Sequence, residues 1–249
     1  MKLFTTILFL SLSLSVLLAQ EPKEDYQEVV KTFIDCIKTQ NKEQLFELTR
    51  FPLRRVYPLA DVKDKADFLS RYETIFDATL SKEIIESDPS KDWSPVGWRG
   101  IMLKSGTLWL DYSGHLIAVN YESEYESTKR AQLIQEEKNT LHPSLKEFET
   151  PILILETKKF SLRIDDLGKG NYRYASWGIH NTMAQQADLI LTNGTLIFDG
   201  SGGNHYYEFV NGDYKYICFI NRMSVFEAEL VVEKKGVEIL SQAAKIIRN

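Results

Sequence analysis

Apolar side chains recur at helical spacing through the first part of the chain. From Tyr26 to Ile37 they fall at i, i+3, i+4, i+7, i+8 and i+11, which places them on one face of a helix. Asn41, with Gln44 three positions later, predicts the N-cap of a short second helix over 42–49. Asp64 begins a third predicted helix. Its apolar face consists of Phe68, Leu69, Tyr72, Ile75 and Phe76.

After residue 81 the apolar period shortens, which predicts β-strands. Ile84-Ile85 and the segments 98–103, 107–112 and 116–121 are typical of short strands. Lys104-Ser105-Gly106 and Ser113-Gly114 supply tight turns between them. The first half therefore predicts helices packed on an antiparallel sheet, an α+β arrangement.

The segment 124–141 is the most polar part of the chain. Its glutamates and lysines favour a helix, and His142-Pro143 ends it. With so few apolar side chains, it is expected to lie on the surface as a linker between two domains.

From Pro151 onward the pattern is almost entirely β. Candidate strands cover 152–155, 160–164, 172–177, 189–191, 195–198, 206–210, 214–220 and 226–232. The turns expected between them are Asp165-Asp166, Asn193-Gly194, Asp199-Gly200 and Asn211-Gly212. Short strands at such spacing predict a β-sandwich or small barrel. The predicted divisions are a signal over 1–19, an α+β domain over 24–122, a linker helix over 123–149 and a sandwich or barrel over 150–249.

The first nineteen residues carry the features of a secretory signal. Lys2 precedes an apolar run that ends at Ala19, and Gln20 then begins a polar, charged segment. We expect the signal to be cleaved, giving a secreted or periplasmic bacterial protein; the alternative is an uncleaved membrane anchor. No later stretch approaches eighteen uninterrupted apolar residues, so no integral membrane segment is expected after cleavage.

Composition narrows the range of partners and cofactors. Without the lysine of the signal, the 30 basic residues become 29 against 35 acidic ones, a formal charge of −6. That balance disfavours nucleic acid or an anionic membrane as the main partner. Cys36 and Cys218 lie in apolar patterns and are expected to be buried free thiols, although export permits a disulfide. The four scattered histidines show no metal-ligand spacing, so neither a metal nor a cofactor is expected.

The first candidate site combines Arg54 and Arg55 with Trp98, Trp109, Asp111 and Tyr112. Strand alternation directs Trp109 and Asp111 to one face and Leu108, Leu110 and Tyr112 to the other. Trp109 and Asp111 could thus line a concave pocket with an arginine; alternatively, the tryptophans are core residues. The paired carboxylates Asp165-Asp166 are expected in a solvated turn.

The second candidate is the glycine-rich run over 199–206, which contains three glycines in four positions. Its possible contact groups are Ser201, Gly202, Asn204, His205 and Tyr206. Three interpretations stay open: a plain loop, a partner-binding loop, or a catalytic loop with His near Ser but no third orienting group. A third candidate is the aromatic cluster Tyr172, Tyr174 and Trp177, in which the two tyrosines share a strand face opposite Arg173. Exposed, the cluster would suit carbohydrate or peptide; alternatively, these are ordinary half-buried strand aromatics.

The order of elements over 26–121, with Phe68-Leu69-x-x-Tyr72-x-x-Ile75-Phe76 before the sheet, resembles the nuclear-transport-factor-two-like fold, also called polyketide-cyclase-like. This resemblance implies a curved sheet wrapped by helices around a cone-shaped cavity. Enzymes of that superfamily place an Asp/His or Asp/Tyr pair in the cone. The positions to consider here are Asp35, Asp111 and Tyr112, with no histidine beside them because His115 is expected in a turn, so the resemblance implies a cavity and not a reaction.

The second half is similar to another family. Leu189-x-Leu191-x-Asn193-Gly194, followed by Gly200-Ser201-Gly202-Gly203-x-x-Tyr206, is similar to the stretch by which periplasmic C-type lysozyme inhibitors present a Ser-Gly loop. The paired cysteines usual in that family are missing.

The function expected from the sequence is non-enzymatic binding by an exported soluble protein. The binding groups would come from the glycine-rich loop, the N-terminal cavity or both, and the partner is a protein, peptide or small molecule. One alternative is a small-molecule hydrolase or isomerase that uses the cone, with Asp111 as acid/base and Arg54 or Arg55 holding an anionic substrate. The other is a lysozyme-inhibitor-like protein.

Overall fold

The computed structural model of the protein describes residues 25–200, 203–221 and 227–247. Helices and a four-stranded sheet come first, one long helix follows, and an eight-stranded closed barrel comes last. The predicted α+β class with a barrel is therefore present. The signal segment over 1–19 lies outside the described residues. Among those that are described, no helix is long and apolar enough to cross a membrane.

Four helices form the N-terminal layer: α1 (Asp25–Lys38), α2 (Lys42–Glu47), α3 (Lys65–Ile75) and α4 (Ala78–Ile85). The side chains of Asn41, Asp64 and Asp77 each accept a backbone N–H bond at the start of a helix. The strand predicted at Ile84-Ile85 is wrong. These residues end α4, because the cap at Asp77 starts a helix whose buried side chains are Leu80 and Ile84, four positions apart.

The antiparallel sheet consists of β1 (Trp93–Pro95), β2 (Ile101–Leu103), β3 (Leu108–Leu110) and β4 (Leu116–Val119). One face of this sheet and the inner faces of the helices share a single core. Its large buried side chains are Phe33, Phe68, Tyr72, Phe76, Trp93, Leu103, Leu108 and Leu110. Aromatic and leucine side chains thus fill the space between helices and sheet.

Helix α5 (Glu124–Thr140) connects this unit to the barrel. The barrel strands are β5 (Thr150–Glu156), β6 (Phe160–Asp166), β7 (Tyr172–Gly178), β8 (Leu189–Phe198), β9 (His205–Asn211), β10 (Tyr214–Ile220), β11 (Ala228–Lys234) and β12 (Val237–Ile247). Each strand pairs antiparallel with the next, and β12 returns to pair with β5. Strand β12 was not predicted, because Gln242-Ala243-Ala244-Lys245 has little of the apolar alternation typical of a strand.

The barrel interior is apolar and aromatic, and it contains the predicted aromatic pair. Tyr174 is buried and Tyr172 is partly buried against the same core, while Arg173 points outward. Tyr174 packs near Phe209 and Tyr216 at ring-centroid distances of 5.5 Å and 5.7 Å. These tyrosines are structural parts of the barrel core rather than an exposed aromatic row.

The turn predicted at Asn193-Gly194 is also wrong, since both residues lie inside the single strand β8. Tyr172 and Tyr174 of β7 pair with Gly194 and Leu191, so β8 contains one extra residue at this point. Asn193 takes the positive φ of 61° that this bulge requires. The Asn-Gly pair therefore bends a strand here, and does not join two strands.

Asp165 was expected in a solvated turn, and the structure corrects this. It lies within β6, is 0% exposed, and is 2.6 Å from Arg163 Nη2 and 2.5 Å from Arg173 Nη2. The outer face of β6 and β7 is covered by the segment that contains Leu145 and Phe148. Because the strand is buried on both faces, Asp165 needs the two arginines as partners.

Candidate binding site at the barrel mouth

The glycine-rich segment connects β8 to β9 at one end of the barrel, the end where β10 also turns toward β11. The Asp199 N–H bonds the Asn204 carbonyl at 2.9 Å and closes the base of the loop. His205 is the first residue of β9, and its Nδ1 lies 3.0 Å from the Gly203 carbonyl oxygen. Ser201 and Gly202, both candidate contact residues, lie outside the described residues.

His205 belongs to the lumen-facing row of its strand. Alternate residues Tyr207 and Phe209 are buried in the barrel core, which directs His205 toward the mouth. Its ring lies 6.2 Å from Phe198 and 5.7 Å from Tyr207, centroid to centroid. Phe198 is 72% exposed, so this aromatic row leads from solvent into the lumen. Tyr206 points the opposite way.

A cavity of about 220 Å³ occupies the barrel mouth. Six of its lining residues are apolar or aromatic: Ile152, Leu153, Tyr207, Ile220, Ile246 and Ile247. Three others carry polar or charged groups: His205, Arg55 and Tyr57. The arrangement suits a mostly apolar ligand with few hydrogen bonds to make.

Arg55 and Tyr57 come from the N-terminal unit, almost a hundred positions before the first barrel strand. The Arg55 guanidinium donates to both carboxylate oxygens of Glu126, to the Val119 carbonyl at 2.6 Å and to the Tyr121 carbonyl at 2.7 Å. It is only 5% exposed. Because these acceptors occupy the guanidinium, Arg55 forms part of the cavity wall and is not a free anion ligand.

Tyr57 donates its hydroxyl to Glu137 of α5 at 2.8 Å. Burial, followed by the negative charge of Glu137, raises the pKa of Tyr57 far above its usual range. The phenol therefore stays protonated at neutral pH and keeps its proton directed at Glu137. Its ring forms one side of the cavity.

Helix α5 was expected on the surface, and its side chains are exposed or partly exposed apart from the buried Glu126. Glu126 is 2% exposed and pairs with Arg55, while Glu137 pairs with Arg163 on the outer wall of the barrel. The two glutamates are eleven positions apart, close to three helical turns, so they share a face. The helix is polar because it contacts the two units through ion pairs, which the spacing of apolar residues does not predict.

The N-terminal candidates do not form a common pocket. The neighbours Leu108 and Leu110 belong to the core, so Trp109 and Asp111 point away from the helices. The Arg99 guanidinium lies 5.7 Å from the Trp109 ring, and Arg54 donates to Asp61 at 2.6 Å. The other two aromatic candidates, Trp98 and Tyr112, are 74% and 47% exposed.

Asp111 has a histidine neighbour that was not expected. His115 Nδ1 lies 3.2 Å from both Asp111 carboxylate oxygens, and Arg50 Nη2 lies 3.0 Å from the same nitrogen. Partial burial alone would raise the pKa of Asp111, but its bonds with His115 and the Ser113 N–H lower it overall. Asp111 accepts the backbone N–H groups of Ser113 and His115, so it serves the β3–β4 turn.

Both cysteines are free and buried, as expected. Burial raises the pKa of the Cys218 thiol to about 12, and burial followed by the charge of Asp35 raises that of Cys36. Neither thiol is therefore a ready nucleophile.

Among the described residues, no group of three or more His, Cys, Asp or Glu side chains could hold a metal ion. No family model, characterised protein or solved structure matches the chain. The resemblances to the nuclear-transport-factor-two-like fold and to the lysozyme inhibitors therefore stay predictions.

Proposed function

We propose that this is an exported, non-enzymatic binding protein whose barrel mouth takes a small, mostly apolar molecule. The observation that carries the proposal is the cavity of about 220 Å³ beside His205, with its isoleucine and tyrosine walls. Apolar cavities with a few convergent polar groups are the usual form of small-molecule sites, and they concentrate in barrel mouths and at domain interfaces. This cavity lies at both.

The dimensions narrow the class of ligand. Sites for whole drug-sized molecules measure about 300–1,000 Å³, so the cavity suits a small compound or one end of a larger one. The lumen wall supplies apolar contact, and the His205 imidazole supplies one hydrogen-bonding group. Phe198, exposed at the rim, would contact any part of the ligand that projects outward.

The hydrolase or isomerase alternative has weaker support. It requires Asp111 to line a cavity between helices and sheet, whereas Asp111 points away from the helices and buried side chains fill that region. The Asp111 carboxylate is already bonded to two backbone N–H groups of its own turn. Binding at the barrel mouth is therefore the function that we advance.

Titration of the purified protein with 4-ethylphenol, indole and 1-hexanol tests this proposal. We expect at least one probe to bind to the native protein and to bind about tenfold more weakly to Ile246→Phe, because the larger ring occupies the cavity. The matched control is Ile239→Phe on the same strand, where the side chain is 56% exposed and does not line the cavity. Calorimetry measures affinity, and the melting temperature of each variant verifies folding. Equal affinity in both variants, or no binding of any probe at millimolar concentration, contradicts the proposal.

A further inference from the structure

A second, larger cavity of about 730 Å³ lies between α3 and α5. Its floor is the segment 57–60, and Tyr57 lines both this cleft and the barrel mouth. The size falls within the range of about 300–1,000 Å³ typical of small-molecule sites. The cleft is separate from the proposed site, because the other residues of the two linings differ.

Some charged groups of the cleft already form ion pairs within the protein, and others do not. Glu126 and Glu137 line it, but each is bound to a buried arginine, Arg55 and Arg163 respectively. Both carboxylates are therefore paired with a buried guanidinium, and Glu137 Oε2 accepts no hydrogen bond within the described residues.

Two cationic side chains on opposite walls of the cleft still have N–H groups available for a ligand. Arg71 of α3 donates one bond to the Ala60 carbonyl at 2.8 Å, and its nearest carboxylates, on Asp67 and Glu126, are both 3.7 Å away. Lys129 of α5 forms no ion pair with any of the described residues. Both side chains are partly exposed and line the same cleft.

The remaining lining separates into apolar and acidic parts. Tyr57, Pro58, Leu59 and Leu133 supply the apolar surface. The acidic groups left after the buried pairs are Asp67, which accepts the Lys63 N–H at 3.1 Å, and Glu136, which is exposed. A ligand with one apolar part and one anionic part would match the apolar floor and the two cations together.

We propose that the cleft between α3 and α5 binds a small amphipathic carboxylate. The carboxylate lies between Arg71 and Lys129, where charge-assisted hydrogen bonds hold it. Its aromatic or aliphatic part packs on Tyr57, Pro58 and Leu133. This inference is independent of the barrel-mouth proposal, since either site can exist without the other.

The test uses 3-phenylpropionate as the probe, measured by calorimetry at pH 7 and low salt with the whole protein. Two comparison compounds have nearly the same shape: 3-phenylpropanamide, which is neutral, and 3-phenylpropylamine, which is cationic. We expect the acid to bind about tenfold more tightly than the amide, and the amine to bind no better than the amide. Equal binding of acid and amide, or no binding of the acid at millimolar concentration, overturns the proposal.

Variants locate the site. Lys129→Gln, on the surface of α5, is expected to weaken the acid about tenfold without changing the affinity of the amide. Lys91→Gln, a lysine with a 78% exposed side chain outside the cleft, is the matched control and is expected to change neither. Arg71→Lys is expected to keep part of the affinity. Unchanged acid binding in Lys129→Gln, or its loss in the barrel-mouth variant Ile246→Phe, overturns the cleft assignment.

Discussion

Gly194 marks the residue at which strand β8 passes from one neighbour to the other. Up to this glycine β8 pairs with β7, and from Thr195 onward it pairs with β9. The Phe209 ring packs directly over the glycine, at the place where a Cβ atom would otherwise lie. The barrel core therefore depends on the absence of a single methyl group.

Replacing Gly194 by alanine is expected to destabilise the protein by about 1–3 kcal/mol, because the added methyl overlaps the Phe209 ring in a packed core. Urea unfolding at neutral pH measures the difference. Gly178→Ala is the control, since its nearest neighbour beyond the chain would be 3.7 Å away in ordinary contact. Gly194→Ala should cost less stability when it is added to Phe209→Leu than when it is added to the native protein, because the ring that it overlaps is then absent. Equal stability of the two alanine variants contradicts this account.

At the scale of elements, β6 and β7 are buried on both faces, and their outer face is charged rather than apolar. Asp165 lies between Arg163 and Arg173, and both guanidinium groups lie near the ring of Phe148, at 4.9 Å and 5.8 Å. A buried ion cluster of this kind is stable only while each charge keeps its partners.

Asp165→Asn keeps the shape of the side chain and removes its charge. We expect a loss of about 3–5 kcal/mol in the free energy of unfolding, because two buried guanidinium groups lose their shared counter-ion. Glu156→Gln, an exposed carboxylate at the end of β5, should change stability by less than about 0.5 kcal/mol. Chemical denaturation of both variants provides the comparison, and a small effect at Asp165 would mean that solvent reaches the cluster.

Sequence periodicity predicts elements whose determinants are local, and it fails where the deciding contact is distant. Helices α1 to α3 follow from apolar spacing and from caps such as Asp64, which lie within a few residues of their partners. By contrast, Asp165 depends on Arg173 in the next strand, and a lone Asp-Asp pair gives no sign of that partner. The strand β12 was not predicted for a related reason. Its own residues lack apolar alternation, and it forms a strand because it pairs with β11 and β5.

For the whole molecule, the junction between the two units consists largely of ion pairs through α5. Glu126 binds Arg55 of the N-terminal unit, and Glu137 binds Arg163 of the barrel. The candidate site at the barrel mouth depends on this junction, because both units line the cavity. His205 could be proposed from its loop, whereas Arg55 and Tyr57 reach the cavity only because α5 brings the units together.

The Arg55–Glu126 pair can be tested with a double-mutant cycle. Glu126→Gln is expected to cost about 3–5 kcal/mol, since it leaves a buried guanidinium without a counter-ion. The double variant Arg55→Met/Glu126→Leu is expected to be more stable than Glu126→Gln, because no buried charge remains unpaired. Glu124→Gln, on an exposed position of the same helix, is the control. The single variants Arg55→Met and Glu126→Leu complete the cycle, and additive effects of these two in the double variant would contradict a direct coupling.

The pairing of β12 with β5 has a consequence for the order of folding. Within the described residues, this seam joins Lys245, Ile246 and Ile247 to Glu156, Leu155 and Ile154, about ninety positions earlier. Every other strand pair of the barrel joins neighbours in the chain, so the ring can close only after β12 is free to pair with β5. Until then both β5 and β11 are open edges that another chain could pair with. Pairing of the eleven-residue strand β12 with both neighbours is thus the step that removes the two open edges.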